Sequence, residues 1–223
     1  MEILIFILIA VVIIGGIAYS AYLAHKRREA MAALASSLGL SYQPGKDYHI
    51  ASRFGFMNKL AQGSNRYAYN IIQGQYKSHS VMVFDYHYET YSTDSKGRRK
   101  TSHHYFSFFI LGMPKSFPEL VISKEGFFSK VAQFFGYDDI DFESAEFSRN
   151  FVVRSPDKKF AYDFCNARMI EFLLDNRDLQ IEVEHDSLAF FFGSCLSPNN
   201  IHGNLDRLVH VRSLIPDYVF SAR

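Results

Sequence analysis

The most prominent feature of the hydrophobic pattern is a run without charged residues over residues 3–24. With a rise of about 1.5 Å per residue, this run makes a helix of about 33 Å, enough to cross a hydrocarbon core of about 30 Å. A cleaved signal peptide would begin with positive charge and have a shorter apolar stretch of about 7–15 residues. Here the only early charged side chain is Glu2. The pattern therefore predicts one transmembrane helix over residues 3–24.

Strong helix formers continue beyond the apolar run. Residues 29–38 are rich in Ala and Leu, and Gly39 with Pro44 soon after is typical of a helix end. We expect one continuous helix over residues 2–38, with its last turns in water. The predicted organisation is a membrane helix with its juxtamembrane extension over 1–38 and a soluble domain over 39–223, with possible sub-parts 39–140 and 141–223.

The basic residues predict how the helix crosses the membrane. Lys26, Arg27 and Arg28 directly follow the apolar run, and no Lys or Arg precedes it. Because cytoplasmic flanks carry the excess of Lys and Arg, we expect the N-terminus outside and the soluble domain in the cytoplasm. The chain is thus predicted to be a single-pass protein of the cell membrane.

Three small residues in the membrane helix, Gly16, Ser20 and Ala24, are spaced four apart. Small residues in this register let two membrane helices approach closely, which would make this face the seam of a homodimer. Small residues are also common in membrane helices without such a role. The spacing leaves both interpretations open.

Alternating apolar and polar positions predict a sheet in the first part of the soluble domain. Residues 67–76, 80–91, 101–111 and 120–123 are rich in β-branched and aromatic side chains, and turn-forming residues separate them. The order predicts an antiparallel meander, with the segment 113–118 as a loop. If Tyr91 opposes Thr101, the register of the central hairpin follows.

That register places apolar side chains at the even positions of residues 82–88 on one face. The odd positions begin apolar and become polar toward the loop, with Asp85, His87 and Glu89. On the neighbouring strand, His103 then opposes Glu89. Two imidazoles and one carboxylate can bind Zn²⁺ or Fe²⁺, but half-exposed polar sheet residues explain the pattern equally well. We expect no cofactor and no metal, with His87, Glu89 and His103 as the candidates if one is bound.

The second part of the domain alternates helical and strand patterns. Asp157 and Asn166 are plausible helix N-caps, as is Ser144. Residues 179–184 and 188–192 predict a short strand pair around a turn at His185. Other expected elements are an amphipathic helix carrying the Phe127 to Phe135 stripe, a strand at 151–154 and a final helix that begins at Pro198.

Composition narrows the class of protein. The 22 Phe and 14 Tyr are typical of a packed domain, and the net charge of +1 gives no electrostatic case for binding nucleic acid. Cys165 and Cys195 are not in a C-x-x-C pair, so we expect two reduced, buried thiols. The predicted fold class is α+β: an antiparallel sheet with flanking helices behind a single N-terminal transmembrane helix.

The segment from Phe142 to Arg154, with residues 157–160 and 167–173, resembles a widespread family of uncharacterised prokaryotic proteins. Members of that family join an N-terminal membrane segment to a cytosolic α+β domain. The likeness also includes the strands over residues 74–91. It implies an architecture, and it implies no activity and no functional residues.

Motifs for catalysis are missing from the sequence. There is no P-loop and no G-x-G-x-x-G, and Ser194 lacks the second glycine of G-x-S-x-G. The acidic residues of 138–143 lack the spacing of a calcium loop, so a solvated loop is expected. The basic loop 96–100 and the stripe from Phe127 to Phe135 can contact lipid, or can be a solvated turn and a core helix.

We therefore expect a non-enzymatic module that binds a protein or lipid partner at the inner membrane surface. The lipid bilayer is its first partner, with another membrane protein or a second copy of the chain as further candidates. The alternative is a membrane-tethered enzyme with an unrecognised site near the hairpin of His87 and His103.

Overall fold

The computed structural model describes residues 2–124 and 139–221. It begins with one helix, α1 (Glu2–Ser37), which ends one residue before the predicted boundary. Gly39 adopts a φ of +67°, and the Leu40 N–H donates to the Ala35 carbonyl over 2.8 Å. This is the left-handed helix end that a glycine favours, because it has no Cβ to clash.

The centre of the domain is a six-stranded antiparallel sheet. Within the described ranges the order is β1-β2-β3-β4-β5, and β6 also pairs with β4. Strands from both predicted sub-parts, 39–140 and 141–223, therefore join one sheet. The division of the domain between them stays a prediction. The strands are β1 (Ser41–Gln43), β2 (Ser64–Tyr76), β3 (His79–Thr93), β4 (Arg99–Lys124), β5 (Phe151–Arg154) and β6 (Ile181–Phe191).

Helices flank the sheet, so the α+β class is confirmed. The three predicted caps are present: the side chains of Ser144, Asp157 and Asn166 each accept a hydrogen bond from a backbone N–H of the following turn. The remaining helices are α2 (His49–Arg53), α3 (Ala145–Asn150), α4 (Lys158–Phe164), α5 (Ala167–Asp175), α6 (Pro198–Leu214) and α7 (Asp217–Ser221).

The register predicted for the β3–β4 hairpin is confirmed, since Tyr91 pairs with Thr101 and Glu89 with His103. Phe84 and Tyr86 lie on one face of β3 in an aromatic core, which residues 50–60 cover. The opposite face of the sheet packs in a larger core that includes residues of α1 and α6. Each face of the sheet thus has its own apolar layer.

Two predictions for the strands were wrong. Residues 113–118 are not a loop but the middle of β4, although they contain Pro114 and Pro118. The pairing of β4 with β6 shifts between Gly112, Phe117 and Leu120, and such bulges accommodate prolines that cannot donate a ladder hydrogen bond.

The predicted strand pair around His185 is also wrong. Residues 181–191 form one strand, β6, whose two halves both pair with β4. His185 has a φ of +49° and lies where the pairing of β6 with β4 shifts its register. The predicted stripe from Phe127 to Phe135 lies outside the described residues.

Candidate functional site

The second half of α1 packs against the sheet along one face. Arg27, Met31 and Ala35 recur every four residues, and the last two are at most 1% exposed. At the end of the helix, a Cβ added to Gly74 would lie only 3.0 Å from the Leu40 side chain, so the glycine permits this close approach. Residues 5–24, by contrast, are exposed throughout, and α1 is long and apolar enough to cross a membrane.

Arg27 joins α1 to the centre of the sheet. Its Nε and Nη2 donate to the two carboxylate oxygens of Asp85 over 2.8 and 2.7 Å, and its Nη1 donates to the Leu196 carbonyl over 2.7 Å. Asp85 lies on β3 and is fully buried. This bidentate geometry is the strong form of an arginine–carboxylate contact.

Two further groups complete the surroundings of Asp85. The Asn70 amide donates to Oδ2 and the Ser107 hydroxyl to Oδ1, both over 2.9 Å. Asn70 has a φ of +52° at a bulge in β2, which turns its side chain into the network. Four donors thus match the four lone-pair positions of the carboxylate, so its burial leaves no unmet hydrogen bond.

Sequence reasoning placed Lys26, Arg27 and Arg28 together as membrane-flanking charges. The structure separates them, because only Arg27 turns toward the domain while Arg28 is exposed and the Lys26 ammonium lies 5.1 Å from the Tyr22 ring. The signal that could have found this pair is Asp85 itself. An acid between apolar strand positions needs a buried cationic partner.

A thiol borders this network. The Tyr69 hydroxyl lies 3.7 Å from Cys195 Sγ, and burial, with the nearby Asp85 charge, raises the pKa of Cys195 to about 11. Cys165 is buried, which raises the pKa of its thiol well above the ordinary value. Both cysteines are free, as expected, but only Cys165 is buried as predicted, because Cys195 is partly exposed.

His87, Glu89 and His103 converge on the polar end of the hairpin. One potential ligand atom from each lies within 4.8 Å of the other two. His87 Nε2 is 3.1 Å from His103 Nδ1, which is 3.5 Å from Glu89 Oε1. His104, next to His103 in the chain, lies on the opposite face, where its ring stacks on Tyr88. The difference follows from the alternation of side chains along β4.

Neighbouring groups hold these three side chains. His87 Nδ1 is 3.0 Å from the Asn65 carbonyl, and the Tyr67 ring stacks on the imidazole at 4.5 Å. Glu89 accepts hydrogen bonds from the Asn65 amide and from the Tyr91 hydroxyl. Burial lowers the pKa of His87 below its ordinary value, which favours the neutral imidazole.

A second buried acid was not foreseen. Glu182 on β6 occupies a polar position between Ile181 and Val183, but residues 54–60 cover it and it is 0% exposed. The backbone N–H groups of Asn58 and Lys59 donate to its carboxylate. Burial raises the pKa of Glu182 to about 7 and lowers that of Lys59 to about 8.

The remaining candidates lie at the surface. In the basic loop, Asp94 binds the Arg98 side chain over 2.9 Å, and the Arg99 guanidinium lies 3.8 Å from the Tyr91 ring. In the acidic segment, Asp139 forms an ion pair with Arg154. The small residues Gly16, Ser20 and Ala24 lie on the exposed half of α1, on the same side of the helix as Arg27 and Met31.

The comparisons with known proteins bear on the fold. No family model and no curated protein matches the chain. Among solved structures, the chain is similar to the mycobacterial trehalose monomycolate transport factor A, TtfA, with 14% sequence identity and a TM-score of 0.57. The alignment covers 84% of this chain and 91% of that one. At this identity the similarity is one of fold.

Proposed function

We propose that this protein is a membrane-tethered, non-enzymatic module that binds a lipid or membrane-protein partner at the cytoplasmic surface of the bilayer. The observation that carries the proposal is the ion pair of Arg27 with Asp85, which joins the membrane helix rigidly to the sheet. A fixed position next to the bilayer favours a partner that lies in the membrane or at its surface.

The ion pair also sets the distance of the domain from the bilayer. Arg27 lies three residues after Ala24, the last residue of the apolar run, which is about 4.5 Å along a helix axis. No flexible linker separates the membrane helix from the domain, because α1 is continuous through both. The sheet is therefore held beside the headgroups.

Contacts along α1 indicate which end of the sheet faces the membrane. The C-terminal end of α1 lies at Gly74, which pairs with Val81, whereas Arg27 lies at Asp85 farther along β3. Moving along α1 toward the bilayer thus corresponds to moving along β3 toward Thr93. This order supports a hairpin loop, residues 94–98, on the membrane side of the domain.

The position of the three small residues on α1 favours packing against a different membrane protein over packing against a second copy of this chain. Gly16, Ser20 and Ala24 lie on the side of α1 that carries Arg27 and therefore the docked domain. Two copies packed through this face would bring both domains into the same space beneath the interface. A different membrane protein that packs here would instead emerge next to the domain of this chain.

The fold likeness supports the same class of role. TtfA is by its name a transport factor for trehalose monomycolate, and the present chain shares its fold over most of both lengths. We extend to this chain only the general role of a factor that assists a process at a membrane. A second candidate, favoured by the convergence of His87, Glu89 and His103, is an enzyme with its site at this hairpin.

Proximity labelling tests the leading proposal. A biotin ligase is fused to the C-terminus of the full chain, and labelled proteins are compared with those of a variant carrying a flexible Gly/Ser linker between Ala24 and His25. The linker leaves the Arg27–Asp85 contact in place but frees the domain from its position. The matched control carries the same linker within the loop at residues 95–97.

The proposal predicts that the wild type and the loop control label the same small set of membrane proteins, and that the linker after Ala24 removes them. An identical set for all three proteins would contradict it. The cytoplasmic orientation has a separate test: protease added to intact cells should leave the soluble domain uncut, and digestion would reverse the proposed topology.

A further inference from the structure

We propose that His87, Glu89 and His103 form a binding site for a divalent transition-metal ion of the zinc class. The site goes beyond the tethering role and does not depend on it. The ligand atoms are His87 Nε2, His103 Nδ1 and a carboxylate oxygen of Glu89, and all three residues lie on the β3–β4 hairpin.

The separations of the ligand atoms suit a tetrahedral ion. Zn²⁺ bound to nitrogen and oxygen at about 2.0–2.2 Å holds neighbouring ligand atoms about 3.3–3.5 Å apart. The two imidazole nitrogens are 3.1 Å apart, and His103 Nδ1 is 3.5 Å from Glu89 Oε1. The third separation, between His87 Nε2 and the Glu89 carboxylate, is within 4.8 Å, and side-chain rotation has to bring it into the same range for all three to reach one ion.

The groups behind the ligands orient them for metal binding. The Asn65 carbonyl accepts the Nδ1–H of His87, which leaves the Nε2 lone pair directed at His103. The second oxygen of Glu89 accepts the Tyr91 hydroxyl proton over 2.8 Å. A carbonyl behind a histidine and a hydrogen bond to the free carboxylate oxygen are typical outer partners of metal ligands.

Access and ligand chemistry point to zinc rather than magnesium or calcium. His87 is buried, but the His103 side chain is 51% exposed, so an ion can enter from that side. Two imidazoles and one carboxylate form a set that Zn²⁺ and related ions accept, whereas Mg²⁺ and Ca²⁺ require mainly oxygen ligands. The short distance between the two imidazole nitrogens has a competing explanation, a direct hydrogen bond from His103 Nδ1–H to His87 Nε2.

A metal-binding measurement on the full chain decides between a metal site and a direct hydrogen bond between the two histidines. The tag-free protein in detergent micelles is stripped with a chelator and dialysed against Zn²⁺, and bound zinc is measured by elemental analysis. The variants are His103→Ala, at the exposed end of the cluster, and the isosteric Glu89→Gln. The matched control is His104→Ala, which removes the adjacent imidazole on the other face of the same strand.

We expect about one zinc per chain in the wild type and in His104→Ala, with affinity reduced at least about tenfold in His103→Ala and Glu89→Gln. Co²⁺ in place of Zn²⁺ should give the visible absorption of a tetrahedral site in the first two proteins only. The proposal is overturned if the wild type binds no stoichiometric zinc, or if His103→Ala binds it as tightly as His104→Ala. Circular dichroism checks that each variant is folded, and Glu89→Gln decides the question should His103→Ala fail to fold.

Discussion

Arg27 on the membrane-emerging helix forms a bidentate ion pair with Asp85 on the central β3 strand, with donor–acceptor distances of 2.7 and 2.8 Å. The side chain of Asp85 is only 1% exposed and that of Arg27 is 22% exposed. Removing two charges from water is unfavourable, and here Asn70 and Ser107 supply the further hydrogen bonds that offset it. The contact therefore makes the helix and the sheet one unit.

The first prediction concerns the loss of one partner of this pair. Arg27→Ala leaves the Asp85 carboxylate buried without its cation, so the free energy of unfolding should fall by about 3–5 kcal/mol. Arg28→Ala is the matched control, because the neighbouring guanidinium is exposed and its loss should change stability by less than about 0.5 kcal/mol. Denaturant unfolding of the full chain in micelles measures both. Equal effects of the two substitutions would show that the ion pair does not hold α1 to the domain.

The second prediction concerns the pH dependence of stability. Burial raises the pKa of Glu182 to about 7 in the folded protein, above its ordinary value of 4.5. The protonated acid therefore favours the folded state, and this contribution, present in full below pH 4.5, is lost as the pH rises through 7. The expected loss is at most about 3 kcal/mol.

Glu182→Gln should remove this part of the pH dependence, because an uncharged amide can still accept the Asn58 N–H. The difference in unfolding free energy between the variant and the wild type should grow in favour of the variant from pH 5 to pH 8. Glu171→Gln, at an exposed position, serves as the control and should show a constant difference. A constant difference for Glu182→Gln as well would rule out a raised pKa.

The third prediction concerns the two thiols. Because the pKa of Cys195 is raised to about 11 and Cys165 is buried, both should react slowly with iodoacetamide at pH 7. The rate at Cys195 should rise about tenfold per pH unit up to pH 9, while Cys165 reacts only on unfolding. Peptide mass spectrometry follows each site. A disulfide in the native protein would contradict both the free thiols and a cytoplasmic location.

The fourth prediction concerns the basic loop at the tip of the hairpin. Because the proposed orientation puts this tip on the membrane side, reversal of Lys96, Arg98, Arg99 and Lys100 should weaken binding of the chain without residues 1–24 to anionic vesicles. At about 1 kcal/mol for each basic residue near the surface, the affinity should fall by more than about tenfold. This truncation keeps the docked half of α1, since residues 5–24 are exposed and add nothing to the core. Vesicles of neutral lipid are the control, and unchanged binding to anionic vesicles would identify the loop as a solvated turn.

Several features were predictable because they depend on neighbouring residues in the chain. The length of the apolar run and Gly39 defined α1 to within one residue. The assumed pairing of Tyr91 with Thr101 across the loop predicted the register of β3 and β4, and with it the convergence of His87, Glu89 and His103. The caps at Asp157 and Asn166 follow from the local hydrogen bonding of their side chains.

Other features depend on segments far apart in the sequence, and only the tertiary structure decided them. Local turn residues predicted breaks at Pro114 and at His185, yet pairing between β4 and β6 keeps both strands continuous. Glu182 occupies a polar position in the alternating pattern of β6, which is typical of a solvated residue. It is buried because residues 54–60 pack over its face of the sheet. Arg27 has the sequence context of a membrane-flanking charge, and its partner Asp85 lies 58 residues away. Alternation tells which side chains share a face, but burial depends on what packs against that face, and this is a property of the whole fold.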